Sequence, residues 1–191
     1  DWDLYARGLS GGTVARLTTD VGSDINPATV SDPANNRFFV VWQGFRDGRS
    51  SIYLMVCDNG VWSAPKTVAQ SVASEWYPKV AVDSTGRAWV AWDSYRDENY
   101  DVYLRSYMPA SDTFGSEIQV TANPRFEANV SVACDADNRV WLGWERGREN
   151  WGKDQGRLIN EGRLDEDRGW SFVTDRSFAV GVYDGVSVKT P

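Results

Sequence analysis

The sequence predicts an all-β chain of β-propeller blades, each a sheet of four antiparallel strands. Three observations carry this. Trp42, Trp92 and Trp144 recur 50 and 52 residues apart. Apolar residues around each fall at alternate positions, the period of a half-buried strand. Polar turn clusters separate these runs at matching places in each copy. A repeat of about 40–50 residues carrying four short strands is the signature of a propeller blade.

The stretch from Trp76 to Arg105 shows the unit most clearly. Val80 and Val82 belong to a first, inner strand. Ala88, Val90 and Trp92 mark the second, after a turn at residues 83–86. A polar cluster at residues 96–99 precedes the third run, Val102-Tyr103-Leu104. Val120 with Thr121 marks the outer strand. Upstream, Phe45-Arg46-Asp47 matches Tyr95-Arg96-Asp97, Ile52-Tyr53-Leu54 is the third run, and Val68 with Ala69 the fourth. Leu4-Tyr5-Ala6 and Leu17-Thr18 occupy the third and fourth phases of an earlier unit. The phasing therefore predicts a half blade over 1–23, complete blades over 24–74 and 75–126, and a last blade over 127–191. In that last blade an insertion spans 147–176. Alternation then resumes at Phe178, and Asp184-Gly185 reads as a hairpin turn. The total is about three and a half blade-equivalents in one partial propeller domain. Propellers close with four to eight blades, so closure is expected from the missing blades of a longer chain or from association of two copies.

Composition narrows the chemistry. The chain has 191 residues, 41% of them hydrophobic, which suits one packed all-β domain. The net charge of −7 lacks the basic field a general nucleic-acid binder needs. No apolar run reaches the length of a membrane span. The sequence has no histidine, which removes Ser-His-Asp and Cys-His nucleophiles and His-ligated zinc. Acid–base chemistry falls to carboxylates, Tyr, Lys or Arg. Cys57 and Cys134 lack CxxC spacing and read as two small buried apolar residues. No metal site and no cofactor are expected. The opening Asp1-Trp2-Asp3-Leu4-Tyr5 lies already inside a strand pattern and reads as a mature piece or a domain of something longer.

The repeats resemble those of TolB-type propellers at the residues Pro27 and Pro78, Asp83 to Gly86, Arg46-Asp47-Gly48, Arg96-Asp97 and Asp101-Val102-Tyr103. Val130 departs from the proline of the other copies. The resemblance covers roughly residues 1–145 and implies a propeller fold. The Trp-rich second strand and Asn150-Trp151-Gly152-Lys153-Asp154 also look like the N-terminal propeller region of large bacterial proteins of unknown function, which carry a C-terminal phosphoesterase-like domain. Sialidase blades place their Asp-rich motif between third and outer strands. The D-x-x-G-R-x-W motif here lies between inner and second strands and is a different one.

Antiparallel order gathers the second-to-third and outer-to-inner loops on one face. That face receives Tyr95, Arg96, the insertion with Trp151 and Lys153, and Trp76. These five residues form the expected ligand-binding surface, since an aromatic beside a charge suits a sugar or a peptide. Asp24, Glu75 and Glu127 approach the axis as a set of carboxylates. They could bind a cation or act in glycoside cleavage, but such residues more often cap turns. The repeated Arg-Asp pairs read as structural, in salt bridges between neighbouring blades and in turn formation, and the periodic Trp as core. The reading taken from these residues is a non-catalytic binding or assembly module of a larger extracytoplasmic (periplasmic or secreted) bacterial protein. The alternative is a carbohydrate-active hydrolase or lyase, sialidase-like, using the axial carboxylates.

Overall fold

The computed structural model describes residues 1–149, 177–183 and 188–189, and what it describes is all-β. The short strands β1 (Tyr5–Ala6) and β2 (Ala15–Arg16) pair antiparallel as a half blade. The first complete blade holds β3 (Asp24–Asp32), β4 (Arg37–Arg46), β5 (Arg49–Asp58), β6 (Val61–Trp62) and β7 (Lys66–Ala69). The second holds β8 (Glu75–Val82), β9 (Ala88–Arg96), β10 (Asn99–Met108), β11 (Thr113–Phe114) and β12 (Ile118–Gln119). The third holds β13 (Arg125–Cys134), β14 (Val140–Glu149), β15 (Ser177–Tyr183) and β16 (Val188–Lys189). Each is an antiparallel meander, and the assembly is a partial propeller. A single 3₁₀ turn, Pro33–Asn35, is the one helical feature among the described residues.

Two details go beyond the expected pattern. The outer strand is broken in both well-described blades: β6 and β7 each pair with β5, and β11 and β12 each pair with β10. Pro65 in the first gap has no N–H to give the ladder. Each inner strand also carries a bulge, between Ile25 and Ala28, Trp76 and Lys79, and Ala128 and Ser131. One residue at each bulge is left-handed: Asn26 (φ 53°), Tyr77 (φ 49°) and Asn129 (φ 57°). A bulge re-aims side chains, and here it does so at the same height in three successive inner strands. β8 lies between β3 and β13, so the three bulges are neighbours.

The core is a series of seams between blades. Phe39, Val41, Ile52 and Leu54 of the first blade meet Val90, Trp92 and Tyr103 of the second. Trp89, Ala91 and Leu104 meet Val130, Val140, Leu142 and Trp144 of the third. A smaller seam joins Leu4 to Val40, Trp42 and Met55. Alternation explains this. Odd-numbered Phe39 and Val41 on β4 point to the following blade, whereas even-numbered Val40 and Trp42 point back to the preceding one. Cys57 and Cys134 are free thiols, each only partly buried.

Candidate functional site

The axial carboxylates come first, because the sequence singles them out. Asp24 and Glu75 open β3 and β8, Glu127 is the third residue of β13, and all three are buried, at 2%, 0% and 0% exposure. Each is held the same way within its own blade. Asp24 accepts from Trp42 Nε1 at 2.9 Å and pairs with Arg46 at 2.8 Å. Glu75 accepts from Trp92 Nε1 at 2.7 Å and pairs with Arg96 at 2.7 Å. Glu127 accepts from Trp144 Nε1 at 3.1 Å and pairs with Arg146 at 2.7 Å. The periodic Trp is thus both core and donor. Arg96 therefore serves its own blade, pairing with Glu75 and Glu117, whereas Arg46 pairs both with Asp24 of its own blade and, at 2.9 Å, with Asp20 of the preceding half blade. The reason is register: each ends the second strand, beside the start of the inner strand it pairs with. Asp47 and Asp97 take left-handed turn positions at φ 51° each. Burial works against the charge of Arg96, but Glu117 and Glu75 outweigh it and raise its pKa. Its guanidinium also covers the Tyr103 ring at 4.1 Å. Among the described residues no cluster of acidic or thiol side chains is disposed to hold a metal ion.

The residues that remain available lie along the bulges. Tyr77, at the left-handed position of its bulge, is 49% exposed. Trp76 is partly buried and meets Phe45 edge-on at 6.4 Å. Tyr95, 39% exposed, tilts against Tyr100 at 4.8 Å, and Tyr100 meets Phe126 at 5.3 Å. Two aromatic groups therefore line the tops of two successive seams. Burial raises the Tyr100 phenol, and Tyr95, Asp93 and Tyr77 add to the shift. Of the five residues expected to form a ligand surface, the structure places Trp76 and Tyr95 on these two seams. It ties Arg96 to Glu75 and Glu117. Trp151 and Lys153 lie outside the described residues.

Sequence reasoning passed over the residue after each periodic Trp: Gln43, Asp93 and Glu145. Gln43 and Asp93 reach across a seam to the next blade's bulge. Gln43 Oε1 accepts from Asn26 Nδ2 at 3.1 Å and from Tyr77 N at 3.4 Å. Asp93 accepts from Asn129 N at 2.7 Å and Val130 N at 3.3 Å. Burial lifts Asp93 to about 7, against the pull of those two N–H groups and of Lys79, and Glu145 adds to the rise. The signal was present, a polar residue inside an apolar run directly after each Trp. It had no partner visible in the sequence.

No protein-family model matches the chain, and no curated protein does. Solved structures do. A PL25 polysaccharide lyase, an ulvan lyase bound to -[GlcA(1-4)Rha3S]-, superposes with TM-score 0.58 at 11% identity, over 93% of this chain and 45% of the lyase. A second PL25 ulvan-lyase structure gives TM-score 0.58 at 12% identity over the same shares. A GH43 endo-arabinanase from Bacillus licheniformis gives TM-score 0.42 at 15% identity, over 64% of this chain and 50% of that one. The chain spans less than half the length of the lyases. At these identities the likeness establishes the fold. The expectation of a non-catalytic module is corrected at this point: two structures that share the fold over 93% of this chain are polysaccharide lyases, which favours the carbohydrate-active alternative.

Proposed function

We propose that this chain is the propeller portion of a carbohydrate-active enzyme that cleaves an acidic polysaccharide by elimination. One observation carries the choice of elimination over hydrolysis. Hydrolysis of a glycoside uses two carboxyl groups open to substrate, and Asp24, Glu75 and Glu127 are each buried and tied to an arginine and an indole. Among the described bulge residues the exposed phenol is Tyr77. Elimination beside a uronate carboxylate needs no carboxylate pair. A base takes the proton from the carbon next to the carboxylate, the neighbouring C–O bond of the glycoside breaks, and the leaving oxygen takes up a proton. Tyr77 handles the proton, the exposed Lys79 supplies positive charge nearby, and the seam aromatics stack the flanking sugars. The fold likeness to polysaccharide lyases supports the carbohydrate class. The TolB-like repeat chemistry and a site outside the cytoplasm, where such polymers are met, belong to the same proposal.

The test is incubation of the full chain with glucuronate-bearing polysaccharides, following the ultraviolet absorbance of the unsaturated product. Tyr77→Phe should lower the rate by about a hundredfold or more, the range of a lost acid–base group. New reducing ends without unsaturation would make the chain a hydrolase. Neither product nor binding to any acidic polysaccharide would remove the carbohydrate reading.

A further inference from the structure

The two well-described seams are built alike, but in one the buried acceptor is matched by two donors and in the other two buried donors are left over. In the seam between the second and third blades, Asp93 offers two oxygens, and the bulge answers with two donors, Asn129 N and Val130 N. In the seam between the first and second blades the residue equivalent to Val130 is Pro78, which has no N–H. One bulge donor is therefore absent. The residue equivalent to Asp93 is Gln43, which needs only one oxygen to meet Tyr77 N and Asn26 Nδ2. Its amino group is left over. Gln43 is completely buried, and its Nε2 has no acceptor. Trp76 Nε1, in the same seam against Phe45, is also buried without an acceptor. A buried donor without an acceptor forfeits its hydrogen bond to water and gains none in return, so two in one seam call for an oxygen that only accepts.

We propose that this first seam is the carboxylate subsite of the enzyme: Gln43 Nε2 and Trp76 Nε1 donate to the carboxylate of an acidic sugar residue. The inference rests on the polysaccharide reading above and deepens it. The placement suits the chemistry. Tyr77, the proton-handling phenol, is the residue after Trp76, and its backbone N–H is held by the same Gln43 side chain. A carboxylate seated in the seam therefore lies beside the one half-exposed phenol on that strand. Donors aimed at a carboxylate also stabilise the negative charge that builds on it when the adjacent proton leaves. Both donors are closed to solvent in the free chain, so the partly exposed Trp76 indole must turn to admit the ligand. The second seam cannot do the same work, because its buried group is the acceptor Asp93.

The experiment titrates the full chain with an oligosaccharide of alternating glucuronate and rhamnose, and with its carboxyl-reduced neutral counterpart, by calorimetry. The wild-type chain should prefer the acidic form by about tenfold, the scale of hydrogen bonds to a charged group. Trp76→Phe keeps the ring and removes the N–H. Gln43→Glu keeps the acceptor for Tyr77 N and replaces the donor by a negative charge. Both should bring the preference for the acidic form within about twofold. Urea midpoints check folding, and should Gln43→Glu not fold, Trp76→Phe alone decides. Acid preference that survives Trp76→Phe would overturn the subsite while leaving the polysaccharide reading standing. Binding of neither oligosaccharide by the wild-type chain would remove both.

Discussion

Arg96→Met should destabilise the chain by about 3–5 kcal/mol, the cost of stranding a buried charge when its partner is removed. The structure sets that scale. Glu75 has no exposed surface, and its two oxygens are divided between Trp92 Nε1 at 2.7 Å and Arg96 at 2.7 Å. Methionine keeps most of the apolar stem but leaves Glu75 with one neutral donor. The lost cover over Tyr103, 4.1 Å from the guanidinium, adds about 0.5–1 kcal/mol. The outer bond to Glu117 adds little, because that carboxylate is a third exposed and surface pairs are worth about 0–1 kcal/mol. For a chain of this length about 1 kcal/mol moves the melting temperature by about 2–4 °C, so a fall on the order of 10 °C is expected. The assay is urea unfolding followed by tryptophan emission, with Glu75→Gln and the double variant completing a cycle. The double variant should be more stable than Arg96→Met, because it no longer buries a lone charge. A single-variant loss under about 1 kcal/mol, or a double variant no better than the single, would refute the claim that the triad holds the axial carboxylate.

Asp93→Asn tests the second seam through pH. Asp93 is raised from 3.8 to about 7 by burial, opposed by Asn129 N, Val130 N and Lys79 and assisted by Glu145, with the Tyr100 phenol also facing it. The folded chain therefore holds this proton to higher pH than the unfolded chain. Its contribution is complete below pH about 4 and is lost as pH rises through about 7, a fall on the order of a few kcal/mol. The variant should flatten that part of the stability–pH curve, and an unchanged slope would contradict the assignment. Gly22→Ala should be among the most damaging small substitutions. A Cβ there would lie 1.7 Å from the Phe45 carbonyl oxygen, a backbone atom that cannot swing aside. The expected cost is at the upper end of about 1–3 kcal/mol or beyond, read from the same urea transitions, and a neutral result would mean that the loop before β3 sits elsewhere.

Much of this fold was legible because a propeller repeats its physics. One blade's alternation of apolar residues could be coincidence, but Trp42, Trp92 and Trp144 at near-equal spacing state the seam three times. The bulges were less legible. Pro27 and Pro78 hinted at an interrupted ladder, yet Asn129 bulges with a valine after it, so proline is not the cause. The feature shared by the second and third bulges is a side chain reaching from the preceding blade, and a contact between residues some 34 apart, as from Gln43 to Tyr77, leaves no local pattern. The arginines misled for the opposite reason. Arg46-Asp47 and Arg96-Asp97 are neighbours in sequence, but the turn aims the aspartate outward and the arginine back to its own inner strand. The functional class was least legible, because no single segment contains it. The axial wall draws Tyr77 from one blade, Asn129 from the next and Gln43 from the one before.

Repetition also shows where this chain departs from a plain scaffold. The triad of carboxylate, indole and guanidinium is kept in all three blades with distances that differ by only tenths of an ångström. Stability explains that, since each blade must neutralise the same buried charge. The residue after the periodic Trp is not kept: it is Gln43, Asp93 and Glu145. Were that position only a tie for the next bulge, one residue would serve wherever the bulge offers the same donors. The bulges do not, because Pro78 withholds the N–H that Val130 supplies. Position 43 meets one backbone N–H of the next bulge, from Tyr77, where Asp93 meets two, and the amide that stands there leaves a buried amino group without an acceptor, as the Trp76 indole N–H is. The proline thus turns a structural tie into a pair of spare donors, next to the one exposed tyrosine of the same strand that could use a bound carboxylate. It is this break in the repeat, rather than the repeat itself, that points to chemistry.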